Sequence, residues 1–438
     1  MTAQMLPAVV RDVELSRPIP AIAATGADGR RIERAWLLVR LCTEPLGSIL
    51  VTVPDAGLSA ADLVTAIEAE LGVEVRAAIT AAGGDAGAGI PHGGVAVPDL
   101  PPFLAERATV LRSAPPITAV ICTRERPDAL RACLDSLIAQ VYPSLRILVV
   151  DNAPTTDATE RVVRAAAARG HIEYLVEPAP GLSRARNRAV AASPGEILAW
   201  IDDDEVADPY WIVEVARALA RHPEADVISG VIVPAELETP AQLWFEQFGG
   251  HSKGRGYTPA VFSPASASVQ SPLYPLPPFA TGANMTFRPG VIERIGGFDA
   301  ALGAGTPAMG SEDTLAFTKV LVGGGTIVYQ PSAITRHYHR RDLAGLRRQM
   351  VGYGRGLTAA YTSLVLGNPR VLLPLIRLVP TALRDIFGAD GARTATVQAD
   401  FPAELLKVNR RAMATGPFAY LWGRMRGARR VQLVGGRT

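Results

Sequence analysis

From residue 117 onward the chain alternates short, unbroken Val/Ile/Leu runs with segments of helical period, and no other feature restricts its fold as strongly. The runs are ITAVICT (117–123), LRILVVD (145–151), HIEYLV (171–176) and EILAWID (196–202), with helices predicted from Pro127, Asp157, Leu182 and Pro209. Continuous apolar strands separated by helices indicate an α/β class protein whose mostly parallel sheet is covered on both faces. Ligands of such sheets bind beyond the carboxyl ends of the strands. Attention therefore falls on Thr123 and Arg124, on Asp151 and Asn152, and on Asp202, Asp203 and Asp204. A less regular stretch, 233–335, contains the segment FATGANMTFR and a helix predicted near Glu312.

The flanks read differently. AWLLVRLC, EPLG and SILVTV suggest a hairpin turning near Pro45 and Gly47, and LSAADLVTAIEAELG a helix opened by a Ser59–Asp62 capping box. We expect a small α+β accessory domain over 1–80, a Gly/Ala/Pro-rich linker over 81–115, the α/β domain over 116–341 and a basic helical region over 342–438. The net charge of +2 conceals an asymmetry, because 18 basic residues face five acids from Arg336 onward. That region carries +13 and the preceding residues −11. Within PRVLLPLIRLVPTALRDIF, Arg370, Arg377 and Arg384 recur on one helical face, with Pro374 and Pro380 expected to kink or divide the helix. Further on, Phe418, Tyr420, Leu421 and Trp422 stand beside Arg424, Arg426, Arg429 and Arg430.

Two readings of this basic region are open: it meets an anionic membrane surface, or it packs on the acidic remainder of the chain. Nucleic acid is not expected as a partner, since no zinc-finger spacing or RNP-type strand accompanies the charge. Three cysteines without CxxC spacing suit a reducing cytosol. No secretory leader and no run of 18 uncharged apolar residues is seen. The expected location is cytoplasmic, free or peripheral on the inner face of the cell membrane.

The sequence Ile201-Asp202-Asp203-Asp204-Glu205 ends a predicted strand with four acids. Carboxylates at that density raise one another's pKa and require a cation or solvent. In extended chain Asp202 and Asp204 point the same way, able to hold one hard divalent ion, Mn²⁺ or Mg²⁺, with positions left for phosphate oxygens. A solvated acidic loop is the competing reading.

Taken with VVDN (149–152), GLSRARN (181–187), TGANM (281–285), GGFD (296–299), GSED (310–313) and HYHR (337–340), this acidic run resembles the family 2 glycosyltransferases of GT-A fold over about 116–341. The resemblance implies a Rossmann-like, mostly parallel sheet and transfer of a sugar from a nucleotide-sugar donor to a glycan, lipid-linked or small-molecule acceptor. It implies that Asp151 binds the nucleobase or ribose, with Thr123 and Arg124 near the same nucleotide. Arg186 is then expected at the base or phosphates, with Arg184 a weaker candidate, and Asp202 and Asp203 at the ribose or metal. Asp204 becomes the principal metal ligand, Asp313 the catalytic base with Glu312 beside it, and His337 the third ligand, with His339 the other choice. One positioned base and in-line displacement predict inversion at the anomeric carbon. The processive members carry QxxRW after this point, whereas here Gln349 begins QMVGY, which favours single addition. Two other functions were weighed: a phosphatase of HAD type, from the DxDxV reading of Asp202 to Val206, and a non-catalytic nucleotide-sugar-binding protein.

Overall fold

The computed structural model describes residues 7–98, 100–266, 271–274, 279–387, 397–398 and 400–435. At the N-terminus β1 (Ala8–Glu14), β2 (Arg34–Leu41) and β3 (Glu44–Thr52) form a three-stranded sheet, β1 parallel and β3 antiparallel to β2. Helix α1 (Ala60–Ala81) begins at the Ser59–Asp62 capping box and buries Leu63, Ile67, Val75 and Ile79 against Leu37, Val39 and Ile49. The hairpin turns at Cys42 and Thr43, not near Pro45 and Gly47, which lie inside β3. Both turn residues have positive φ, 50° and 76°. A two-residue turn of this kind matches the twist of its strands. Its amides are held by Glu14, whose carboxylate accepts from the Cys42 N–H at 2.7 Å and the Thr43 N–H at 2.8 Å. The presumed linker is also partly structured, because α2 (Pro102–Ser113) lies within it.

The remaining elements follow in chain order as β4 (Ile117–Thr123), α3 (Pro127–Ile138), β5 (Leu145–Asn152), α4 (Ala158–Ala167), β6 (Ile172–Glu177), α5 (Leu182–Ala192), β7 (Ile197–Asp202), β8 (Glu205–Ala207), α6 (Trp211–Arg221), β9 (Val227–Pro234), α7 (Pro240–Gln247), β10 (Ala260–Phe262), β11 (Asn284–Phe287), α8 (Val291–Arg294), α9 (Glu312–Val322) and β12 (Ile327–His337). The strands form one sheet in the order β10-β12-β9-β11-β7-β4-β5-β6, with β8 paired to β12. β7, β4, β5 and β6 run parallel, as do β9 and β12, while β11 runs antiparallel between β7 and β9. The mostly parallel sheet flanked by helices is thus present.

Strand period explains the unbroken apolar runs. Ile117, Ala119 and Ile121 of β4 pack into one core with Leu130 and Leu134 of α3, whereas Val120 packs into the opposite core with Ala185 and Phe287. At the outer face of α6 a buried charge cluster fastens α2: Glu214, fully buried, lies 2.7 Å from Arg107 and 2.5 Å from Arg217.

Four helices follow, α10 (Leu343–Gly367), α11 (Leu372–Phe387), α12 (Ala403–Met413) and α13 (Gly416–Gly435). Pro380 lies inside α11 without dividing it. The GYGRG run of α10 allows a close clasp: a Cβ at Gly354 would stand 2.1 Å from the Asn409 carbonyl oxygen of α12, and one at Gly356 2.8 Å from Ser311 Oγ, just before α9. α13 runs on to Gly435, but the side chains of Arg429 and Arg430 lie outside the described residues.

Removing one partner of a buried ion pair costs roughly 3–5 kcal/mol because the remaining charge is left uncompensated. Glu214→Leu, which takes from Arg107 its 2.7 Å partner and leaves Arg217 to Glu44 and Glu106, should lower unfolding free energy by up to about that amount in denaturant titrations. An unchanged midpoint would refute a structural role for the cluster.

Candidate active site

The carboxyl ends of β4, β5 and β7 open into a cleft of about 870 Å³, lined among others by Thr123, Arg124, Asp202, Asp203, Asp204, Glu312, Asp313 and His337. The acids do not continue in extended chain: β7 stops at Asp202, a turn occupies Asp203 and Asp204, and β8 starts at Glu205. Each carboxylate therefore finds a different partner. Asp202 Oδ1 lies 3.6 Å from Arg186, on the floor of the cleft. Asp203 is buried, accepting from Thr123 Oγ1 at 2.7 Å and from Arg126 at 2.9 Å. Burial pushes its carboxyl up to about 6 against the pull of Arg126.

Asp204 is partly exposed, and against the upward push of desolvation its carboxyl is held well below the usual range, chiefly by His337. His337 Nε2 stands 3.3 Å from Asp204 Oδ1, while Arg126 and Arg340 approach Oδ2 at 3.0 and 3.4 Å. Glu205, on β8 opposite His337 of β12, is pushed far upward by burial. It is buried and does not line the cleft.

Behind His337 lies a chain of polar contacts. His337 Nδ1 and His339 Nδ1 are 2.9 Å apart, and His339 Nε2 is 2.8 Å from Glu246 Oε1. A third imidazole, His251, sits with its ring centroid 4.3 Å from that of His337, and burial drives its pKa far down. The three imidazoles offer nitrogens within 4.8 Å of one another.

Arg186 is almost wholly internal at 2% exposure. It donates to Glu312 Oε1 at 2.9 Å and to the Gly282 carbonyl at 3.0 Å, so its partners tie β7, the 281–284 turn and α9 together. Arg186 thus lines the cleft while its side chain is held by protein groups. Glu312, buried beneath it, is pushed up to about 7 by burial and held down by Arg186. Asp313 points into the cleft, where its Oδ2 accepts from the Gly282 N–H at 2.8 Å. A Cβ on Gly282 would lie 2.7 Å from that oxygen, so this approach requires glycine. Ser311 at φ 65° turns the chain so that Glu312 and Asp313 open α9 side by side.

Asp151 does not line the cleft. It is fully buried at the end of β5, in register with Thr123, and accepts from Tyr174 Oη at 2.8 Å. Burial raises its carboxyl. Arg124 is exposed on the cleft rim. The sequence reading missed Arg126, Glu246, His251 and Arg340. Arg126 lies two residues beyond a singled-out position, but nothing in its spacing signals the acids it meets. Lys253, another lining residue, stands 4.6 Å from the Tyr353 ring centroid.

The fold and this cleft together define a GT-A glycosyltransferase domain. Residues 118–296 match the family described as Glycosyl transferase family 2. It is 24% identical over 197 residues to a glucosyl-dolichyl phosphate glucuronosyltransferase of Haloferax volcanii, covering 43% of this chain and 57% of that one. A pre-mycofactocin glycosyltransferase of Mycobacterium tuberculosis is 24% identical over 279 residues, covering 61% of this chain and 53% of its own length. The chain thus spans little more than half the length of these relatives. Among solved structures, a mannosyltransferase from Pyrobaculum calidifontis in complex with GDP-Man and Mn²⁺ aligns with a TM-score of 0.43 and 18% identity, over 74% of this chain and 87% of that one.

If Arg186 is a strut, its loss should be felt by the fold as well as by the reaction. Arg186→Ala leaves Glu312 buried without its cation and should cost about 3–5 kcal/mol of stability. A variant that binds and transfers poorly while melting like the wild type would show that Arg186 acts on substrate alone.

Proposed function

We propose that the protein is an inverting, divalent-metal-dependent glycosyltransferase that adds one sugar from a nucleotide-diphosphate-sugar to an acceptor hydroxyl. The observation that carries this reading is a carboxylate and an imidazole nitrogen 3.3 Å apart, Asp204 and His337, in the same cleft as the Gly282-held Asp313. Oxygen and imidazole donors at that separation fit a single Mn²⁺ or Mg²⁺, with Asp202 on the same wall. The family match over 118–296 and two curated relatives named as glycosyltransferases support the same class and speak against the phosphatase reading.

Between the two histidines of HYHR, the contacts favour His337 as ligand. A carboxylate at Glu246 accepts the His339 Nε2–H, leaving His339 Nδ1 to accept from His337 Nδ1–H. Release of the Nε2 proton to solvent on metal binding would then leave His337 with an Nε2 lone pair for the ion beside Asp204, its ring held in orientation from behind. Asp204 and His337 would hold a divalent ion there, which would supply positive charge to offset that of the departing nucleoside diphosphate.

The chain's own residues supply the rest. Arg124 on the rim and Asn152 at the end of β5 face the nucleotide, while Asp151 and Thr123 shape that wall from beneath. Asp203, anchored by Thr123 and Arg126, fixes the turn that aims Asp204. Asp313 takes the proton of the acceptor hydroxyl as it attacks, and Glu312 holds Arg186 in place. With a single carboxylate assigned as base and none as nucleophile, inversion follows. The acceptor, whether glycan, lipid-linked or small molecule, enters from the side of Met309 and Tyr353.

Two substitutions separate the roles. Asp313→Asn should retain metal-dependent binding of nucleoside diphosphate but lose about 10²–10⁴-fold in transfer rate. Asp204→Asn should lose the binding itself, as should chelation by EDTA. Transfer that survives either change undiminished would overturn the reading. His339→Ala should weaken Mn²⁺ affinity by about 10–100-fold in titration calorimetry, through loss of ring positioning. Unaltered affinity would remove the His339–Glu246 support.

A further inference from the structure

The basic helical region decides between the two readings its sequence left open. On α11, Leu372, Leu373, Ile376, Val379 and Leu383 are all exposed, the last four at 58%, 55%, 47% and 51%. At 100° per residue these five lie on one arc, and Arg370, Arg377 and Arg384 run along one edge of it. The opposite side of the helix is the packed one: Leu375 and Leu378 join Tyr361, Ala301 and Tyr420 in a hydrophobic cluster. The fold therefore leaves an apolar stripe facing outward, the reverse of an ordinary surface helix.

Helix α13 repeats the pattern. Phe418, Leu421, Trp422 and Met425, at helical spacing, are exposed, and Arg426 stacks on Trp422 with its guanidinium carbon 4.1 Å from the ring centroid. Tyr420 of α13 and Leu375 and Leu378 of α11 belong to one hydrophobic cluster with Ala359, Ala360 and Leu364 of α10.

The arginines are not consumed by the acidic domain. Among the described residues, no ion pair joins Arg370 or Arg377 to an acid, and Arg384 reaches only its neighbour Asp385, at 3.8 Å. No described helix is long and apolar enough to cross a membrane. An outward apolar stripe with a basic edge and interfacial aromatics fits a helix lying in the plane of an anionic bilayer.

We propose that α11 and α13 form a docking surface for an anionic lipid bilayer, the apolar stripes entering the headgroup boundary and the arginines meeting lipid phosphates. Charge complementarity selects lipid over a second copy of the chain, whose own facing surface would present the same arginines. The site faces the reaction: Phe418 and Trp422 line a hollow of about 590 Å³ with Gly305 and Thr306, and Gly305 also lines the catalytic cleft. Docking would bring the cleft mouth to the membrane. This inference stands on the helical region alone and holds or fails independently of the donor and metal assignments.

The test is co-sedimentation of the full-length protein with phosphatidylglycerol/phosphatidylcholine vesicles and with pure phosphatidylcholine vesicles, across a salt series. The protein should pellet with the anionic vesicles and lose most of that binding at high salt. The double variant Leu373→Asp/Ile376→Asp and the double variant Arg370→Glu/Arg377→Glu should each reduce partition by about tenfold or more, while keeping the wild-type melting curve and nucleoside diphosphate binding. Pelleting no greater than without lipid, or pelleting unaffected by both variants, would overturn the proposal. So would a dimer in light scattering that Leu373→Asp/Ile376→Asp dissolves, since the stripe would then be a contact between copies.

Discussion

Four consecutive carboxylates at the end of a buried strand cannot all ionise unless each is met by a cation or a donor within a few ångströms. The architecture around β7 is a set of solutions to that problem. Asp202 meets Arg186, Asp203 meets Arg126 and Thr123, Asp204 meets His337, Arg126 and Arg340, and burial pushes the Glu205 carboxyl upward. These partners come from β4 and the loop after it, from α5, and from β12 and the segment after it. Charge compensation thus draws separate parts of the chain into one cleft. Arg186 carries the constraint furthest, since through Glu312 and Gly282 it also fixes the position of Asp313.

The same compensation leaves Asp204 surrounded by cationic groups. A carboxylate held well below its usual range stays ionised and is suited to receive a further cation, provided the flexible arginines yield. Arg126 and Arg340 are about two-fifths exposed, whereas His337 is fixed from behind by His339 and Glu246. The arginines can therefore swing away or turn to a phosphate, and the imidazole stays.

Much of this was legible before any coordinates. The doubly covered sheet followed from uninterrupted apolar runs, because strands buried on both faces need no polar alternation, and β4 divides its residues between two cores in that way. The Ser59–Asp62 cap was readable because its hydrogen bonds are local. Non-local compensation was not. Nothing near Thr43 announces that Glu14, distant in sequence, will hold a left-handed turn there. Nothing in a Gly/Ala/Pro-rich stretch announces that Arg107 will meet Glu214. The acidic run was read as extended chain, with Asp202 and Asp204 on one side; the turn at Asp203 and Asp204 changed which group each acid faces. Arg186 was legible as important, but whether it serves substrate or fold depends on Glu312, which only the packed structure brings to it.

The central claim is that Asp204 and His337 form the metal-binding end of the cleft. Anomalous diffraction from crystals soaked with Mn²⁺ and a nucleoside diphosphate tests it most directly. The account predicts one Mn²⁺ peak in contact with Asp204 and His337 Nε2. A peak held instead by His251 and His339, or none with the nucleotide bound, would contradict it.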